Sequence, residues 1–259
     1  MTNLFFPSKN SHKGQNGKLF VIGGSAKYHG APIFSLLEAR RFVDLIYFYP
    51  GEWDQYLINA VKQIPEVIVV TDLEKLNECD CVLFGIGLGD VKFDINNITK
   101  LKTQNPKLVV DGDGFKLIKN NLNEIPKNSI LTPHEGEFSF LFGIEGNENN
   151  VKKMAKQNNC IILKKGPVDI ISDGSKLETN KTHNSGMTKG GTGDVLSGLV
   201  AALACKNDSF VAAVSAAKIN GNAGNMLMKK YGYNFCASDL ANMLAASFAQ
   251  LYTKEGIEK

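Results

Sequence analysis

The sequence predicts an α/β fold: a three-layer α/β/α sandwich with a mostly parallel central sheet and an antiparallel hairpin at one edge. Three observations carry this expectation. Strand-length apolar runs alternate with helix-length segments along the chain. The strand runs are apolar, as strands covered by helices on both faces must be. Most runs end in a glycine-rich or polar turn, the position at which open α/β sheets bind ligands. No Pro/Gly/Ser linker, composition break or solenoid-length repeat interrupts the pattern, so residues 1–259 read as one domain.

The elements follow in order. Lys18 to Ile22 is the first strand, and it ends in Gly23-Gly24-Ser25. The turn Ala26-Lys27-Tyr28-His29-Gly30 leads into a helix from Ala31 to about Val43, with Pro32 in the first turn. Leu45 to Tyr49 reads as a strand, Trp53 to Lys62 as a short helix, and Val67 to Val70 as a strand. Cys81 to Phe84 is a further strand, ending in Gly85-Ile86-Gly87-Leu88-Gly89-Asp90. Ile95 to Thr103 is expected to be helical, and Leu108 to Val110 is a buried strand ending in Asp111-Gly112-Asp113-Gly114. The short strand Ile130-Leu131 precedes Thr132-Pro133-His134-Glu135-Gly136-Glu137. Glu148 to Asn158 is a helix. Cys160 to Lys164 and Val168 to Ser172 form the hairpin, joined at Lys165-Gly166-Pro167. The last third is helical: Asp194 to Cys205, Ser209 to Lys230, and Ser238 to about Thr253.

Composition narrows the function. With 259 residues, 43% hydrophobic and 21% charged, the chain has the make-up of a soluble globular protein with ample core. Its net charge is +3, carried almost wholly by scattered lysines, since Arg40 and Arg41 are the only arginines. Nucleic-acid readers cluster arginine, so no nucleic-acid partner is expected. The five cysteines form no CxxC pair, which argues against a disulfide framework or a zinc site. No apolar run reaches the roughly 18 to 20 residues of a membrane span. The polar, basic start from Met1 to Lys18 is no secretory signal. A cytoplasmic protein without a membrane partner is expected. HExxH, GxSxG, Walker A and GxGxxG are all absent.

The chemistry concentrates in Asn184-Ser185-Gly186-Met187-Thr188-Lys189-Gly190-Gly191-Thr192-Gly193-Asp194, which runs into an apolar helix. Glycines admit a ligand close to the backbone. The free N–H groups of the helix start favour an anion. Asp194 is out of place there, because a carboxylate repels phosphate. Two readings stand: a helix cap, a role Thr192 also suits, or a general base beside the phosphate under attack. His134 is either structural or functional. Glu135 and Glu137 either bind Mg²⁺ through water or open a helix favourably. Asp111 and Asp113 are turn formers by type. Lys164 and Lys165 reach phosphate or are solvated. The residues alone lead to an enzyme handling a nucleotide, with Asp194 as its base.

Lys13-Gly14 through Gly17, Gly23-Gly24-Ser25, Tyr28-His29-Gly30-Ala31-Pro32, Asp111-Gly112-Asp113-Gly114, Leu131 to Glu137, Leu163-Lys164-Lys165-Gly166, Gly190 to Gly198 and Ala237-Ser238-Asp239-Leu240 occur in this order. Together they resemble the ADP- or ATP-dependent NAD(P)H-hydrate dehydratases, metabolite-repair lyases with a ribokinase-like fold. The Tyr-His-Gly-Ala-Pro turn is most similar to archaeal members. The resemblance implies a substrate, the S epimer of hydrated NADH or NADPH, with a hydroxyl at C6 of the nicotinamide ring. It implies ADP or ATP as phosphoryl donor with Mg²⁺, phosphorylation of that hydroxyl, then loss of phosphate. By the same resemblance Ala31, Gly87, Gly89, His134 and Asp194 contact the hydrated cofactor. Lys165, Gly166, Pro167, Val168, Asp169, Gly191, Thr192 and Gly193 contact the adenine nucleotide. Glu137 is the metal candidate. Where the family has Lys-Gly followed two residues later by Thr, this chain has Lys165-Gly166-Pro167-Val168-Asp169. Family members often carry an N-terminal epimerase domain. Here the epimerase is expected as a separate protein, and the chain as a homo-oligomer. A kinase for a hydroxymethyl or hydroxyethyl heterocycle is the alternative within the fold, and a non-catalytic nucleotide-binding regulator the alternative outside it. The Thr132-Pro133-His134 loop favours the dehydratase over the kinase, and the intact Asp194 loop opposes the regulator.

Overall fold

A computed structural model describes residues 4–99, 101 and 106–256. Its strands are β1 (Lys18–Gly23), β2 (Leu45–Pro50), β3 (Val67–Val69), β4 (Cys81–Phe84), β5 (Lys107–Val110), β6 (Ile130–Leu131), β7 (Ile161–Lys164), β8 (Asp169–Ser172) and β9 (Leu177–Asn180). They form one sheet in the order β3-β2-β1-β4-β5-β6-β7-β8-β9. Pairing is parallel from β3 through β7. β8 and β9 then pair antiparallel at the edge.

The sheet is buried on both faces, which explains the unbroken apolar runs. Along β1, Leu19 and Val21 enter one core while Phe20 and Ile22 enter the other. β4 divides the same way, with Cys81 and Leu83 opposite Val82 and Phe84. The first core is roofed by α1 (Gly30–Ala39), α7 (Thr192–Ala204), α8 (Ser209–Tyr231) and α9 (Ala237–Gly256). The second lies under α4 (Gly114–Ile118), α5 (Glu135–Phe142) and α6 (Glu148–Asn158). Two short helices, α2 (Gln55–Val61) and α3 (Asn96–Thr99), complete the set. α7 packs against α1, α8, β4 and β5. Val195 to Ala204 of α7 are all buried, which anchors the helix behind its partly exposed amino end.

Several boundaries differ from the sequence expectation. α1 stops at Ala39 rather than Val43, because the chain turns at Arg40 to Phe42 to reach β2. Of the helix expected over Ile95 to Thr103, Asn96–Thr99 is helical, and residues 100, 102 and 103 lie outside the described residues. β9, α4 and α5 had no clear pattern in the sequence. β9 is a polar edge strand with solvent on one side. α5 contains glycine and three phenylalanines, and its caps define it: His134 at the amino end and left-handed Gly143 at the other. Among the described residues no helix is long and apolar enough to cross a membrane.

Candidate active site

Parallel pairing brings the turns after β1, β4, β5 and β6 to one edge of the sheet, next to the start of α7. The loop before α7 is held by its own side chains. Asn184 accepts a hydrogen bond from the Gly186 N–H at 3.0 Å. The Thr192 hydroxyl lies 2.7 Å from the Met187 carbonyl and 2.8 Å from the Lys189 carbonyl. Gly191 is the cap of α7, with φ of 92° and no side-chain cap bond. A Cβ there would lie 2.4 Å from the Phe34 ring, so only glycine fits. Neither Asp194 nor Thr192 is the helix cap. Asp194 is the third residue of the helix, in its first turn.

The Asp194 carboxylate joins a cluster built from four loops. Lys165 Nζ lies 2.7 Å from Asp111 Oδ1, with the two side chains 18% and 4% exposed. The Lys165 N–H donates to the Pro133 carbonyl at 2.8 Å, which sets Lys165 beside His134. A Cβ on Gly193 would lie 3.4 Å from Lys165 Nζ, so the space above Gly193 faces the ammonium directly. Burial pushes Asp194 up to about 7, helped by the Asp111 and Glu137 carboxylates and opposed by Lys165. Burial likewise pushes Glu137 up to about 7, with Lys165 opposing and Asp111 adding to the rise. Burial pulls the Lys165 ammonium down, but Asp111, Glu137 and Asp194 outweigh it and the net shift is upward. A carboxylate that changes charge near neutral pH, beside a fixed cation, suits a general base next to an anionic group.

His134 and Glu137 lock each other. The Glu137 N–H donates to His134 Nδ1 at 3.2 Å, and the His134 N–H donates to Glu137 Oε2 at 2.8 Å. In the neutral ring the proton therefore sits on Nε2. Burial and the nearby Lys165 charge lower the imidazole pKa, so His134 offers the cleft a neutral N–H donor. Glu135 is occupied elsewhere: it accepts from the Gly146 N–H at 2.7 Å and from Lys164 Nζ at 3.1 Å. Lys164 is thus tied outside the cluster, and Lys165 is the lysine of the site.

Two cavities meet at His134. One, of about 380 Å³, is lined by His134, Lys165, Gly166, Pro167, Asp169, Thr192 and Gly193 among others. The other, of about 500 Å³, is bounded by Tyr28, Gly112, Asp113, His134, Glu137 and Phe140 among others. Ala31 and Gly87 sit together: a Cβ on Gly87 would lie 2.9 Å from the Ala31 Cβ. Gly89 lies against the Tyr28 ring and donates its N–H to Asp113 at 2.7 Å. Of the expected site residues, Ala31, Gly87, Gly89, Val168, Gly191 and Asp194 line neither cavity. Asp169 closes the β7–β8 turn, accepting from the Gly166 N–H at 3.2 Å and from the Asn180 amide at 2.9 Å. Sequence reasoning missed Asp111 as the partner of Lys165, 54 residues away, and Thr182, His183 and Asn220 as walls of the first cavity. Asp111 follows a strand in a glycine turn, and that is the only signal it gave.

Among the described residues no group of three or more His, Cys, Asp or Glu side chains is arranged to hold a metal ion. Glu137 has spent one oxygen on the helix cap, and Asp111 faces Lys165. The donor set suits a magnesium ion that arrives on nucleotide phosphates and takes at most one or two protein oxygens.

The model of the NAD(P)H-hydrate dehydratase family matches residues 19–246. The chain belongs to this family. It is 40% identical over 248 residues to the bifunctional NAD(P)H-hydrate repair enzyme Nnr of Methanocaldococcus jannaschii, covering 89% of this chain and 48% of that protein. It is 36% identical over 264 residues to the ADP-dependent (S)-NAD(P)H-hydrate dehydratase of Cenarchaeum symbiosum, covering 93% of this chain and 92% of that one. The chain thus spans about half the length of the bifunctional relatives, at 48% and 52% of the first two, and nearly all of the C. symbiosum dehydratase. The crystal structure of the ADP/ATP-dependent NAD(P)H-hydrate dehydratase of Bacillus subtilis with ATP and Mg²⁺ superposes with a TM-score of 0.83 at 23% identity, covering 95% of this chain and 93% of that one. A ribokinase-like superfamily protein from Enterococcus faecalis superposes at 0.82 and 23% identity, covering 95% and 92%. The fold of this dehydratase-family chain is ribokinase-like.

Proposed function

We propose that this chain dehydrates the S epimer of hydrated NADH or NADPH, using ADP or ATP with Mg²⁺. The observation that carries the reading is Asp194, with its carboxyl pushed to about 7, in a cluster with the Lys165–Asp111 pair. The nucleotide occupies the cavity of Lys165, Gly166, Pro167, Asp169, Thr192 and Gly193. The hydrated cofactor enters from the Ala31, Gly87 and Gly89 side, and the His134 N–H donates to it. Asp194 takes the proton of the C6 hydroxyl, the hydroxyl oxygen attacks the terminal phosphorus, and the bridging P–O bond breaks with its electron pair leaving on AMP (from ADP) or ADP (from ATP). The N–H of Gly193, with the Lys165 ammonium beside it, stabilises charge on the migrating group. The C6–O bond then breaks with its electron pair leaving on phosphate, C5 gives its proton to the departing phosphate, and the C5–C6 double bond returns. Magnesium offsets the phosphate charge, and the second oxygen of Glu137 is its candidate contact through water.

An epimerase on a separate chain supplies the S epimer in this reading. The protein works in the cytoplasm as a homo-oligomer, which light scattering of the purified chain tests. The activity is tested by giving purified protein hydrated NADH with ADP or ATP and Mg²⁺ and following the NADH absorbance band. Recovery of NADH is expected, and none with either nucleotide sinks the proposal. Asp194→Asn is expected to lower kcat by about 10²- to 10⁴-fold with nucleotide affinity retained.

A further inference from the structure

α1 is clamped across the first two turns of α7, and the contacts converge on Asp194. Ser35, fully buried, donates its hydroxyl to the Asp194 carbonyl oxygen at 2.7 Å. The Ser197 hydroxyl reaches the same oxygen at 3.1 Å. One helical turn on, a Cβ on Gly198 would lie 2.6 Å from the Ser35 carbonyl oxygen and 2.7 Å from its Cα, so the two backbones touch. One turn back, the Phe34 ring covers Gly191. The amino end of α1 carries Ala31, which abuts Gly87 on the substrate side. A single short helix thus links the substrate wall to the backbone of the candidate base.

We propose that Ser35 is a positioning residue for Asp194, fixing through the Asp194 carbonyl how far the carboxylate stands above the glycine loop. The inference rests on the reading of Asp194 as the base. The physical need is local. Asp194 lies in the first turn of α7, where helix ends fray, so a contact from outside the helix adds to the hold its own backbone supplies. A carbonyl oxygen has two lone pairs and can take a hydroxyl besides its helical N–H. Ser35 supplies that hydroxyl from a helix whose own position is set by backbone contact at Gly198.

The test is steady-state kinetics on Ser35→Ala, alone and combined with Asp194→Asn. Alanine is a good helix former and leaves the Gly198 contact in place, so the variant folds. Ser35→Ala is expected to lower kcat on the order of tenfold while both KM values stay within about twofold, because misplacing a reacting group by about an ångström costs up to 10² in rate. Ser197→Ala, which removes the longer bond, is expected to lose less. In the Asp194→Asn background Ser35→Ala should add no further loss, since the two changes strike one function. Three results overturn the proposal: wild-type kcat in Ser35→Ala, a full additional loss in the double variant, or a rate loss matched by an equal loss of nucleotide binding. Near-wild-type activity in Asp194→Asn removes the base assignment itself, and the positioning role with it.

Discussion

At the scale of single residues, the site works by setting charges against one another. Asp111 holds Lys165 at 2.7 Å and its own charge pushes Asp194 up. Asp194 acts as a base only when ionised, so kcat/KM should rise with pH through about 7, the value to which Asp194 is pushed. Asp111→Asn removes a charge that raises Asp194 and leaves Lys165, which lowers it, without its counter-ion. Both effects move that limb toward acid, and an unmoved limb in the pH profile would assign it to another group. His134 has two separable duties. His134→Ala should weaken the hydrated cofactor and cost about 1 kcal/mol as a lost helix cap. His134→Asn keeps a cap oxygen, so its Tm should return toward wild type while KM for the cofactor stays raised. A KM that recovers with Tm would make His134 purely structural. The sequence offered His134 and Asp194 as candidates by residue type and position. It gave no hint of the Lys165–Asp111 pair, because an ion pair across 54 residues has no spacing rule.

At the scale of elements, the start of α7 is the part on which the rest depends. Gly191 takes a left-handed φ of 92° with the Phe34 ring and the Ala237 methyl pressed on its missing side chain. Gly191→Ala should destabilise the fold by about 1 to 3 kcal/mol through backbone strain, measured by thermal melting. It should also raise the nucleotide KM, because α1 and α9 must move apart to admit the methyl. A variant with unchanged Tm and KM would mean that the loop relaxes without cost. Strands were legible as apolar runs, and α6 through α9 as long helices, since burial on both faces or over many turns leaves a strong pattern. α5 and β9 were not, because a capping box and a single edge pairing hold them rather than a hydrophobic period.

At the scale of the whole molecule, one buried group works against stability. Glu38 of α1 is fully buried, and neither carboxylate oxygen has a hydrogen-bond partner. Burial pushes its pKa well above the ordinary carboxylate value, against the pull of Arg41 and Arg40. Below the unfolded-state pKa the carboxyl is neutral in both states and costs least. As pH rises, the unfolded chain ionises while the native state resists, and stability falls until the folded-state pKa is passed. Glu38→Leu should therefore raise stability by about 1 to 3 kcal/mol, the usual cost of an unsatisfied buried polar group. The gain in Tm should be larger at about pH 8 than at about pH 5. An equal gain at both would show that Glu38 ionises freely in the folded protein.

By itself the sequence determined the layered α/β fold, the glycine loop ahead of a buried helix, and a set of polar turns on one edge of a sheet. These are local or periodic properties. Strand burial writes an apolar run, and a close ligand approach writes glycine. The tertiary structure decided which side chains meet. It chose Lys165 over Lys164, made Asp111 the partner of that lysine, took Asp194 and Thr192 out of the helix-cap role, and tied His134 to Glu137. Those outcomes depend on through-space distance and burial. Both arise only when strands far apart in the chain lie side by side and bring their loops to the amino end of α7.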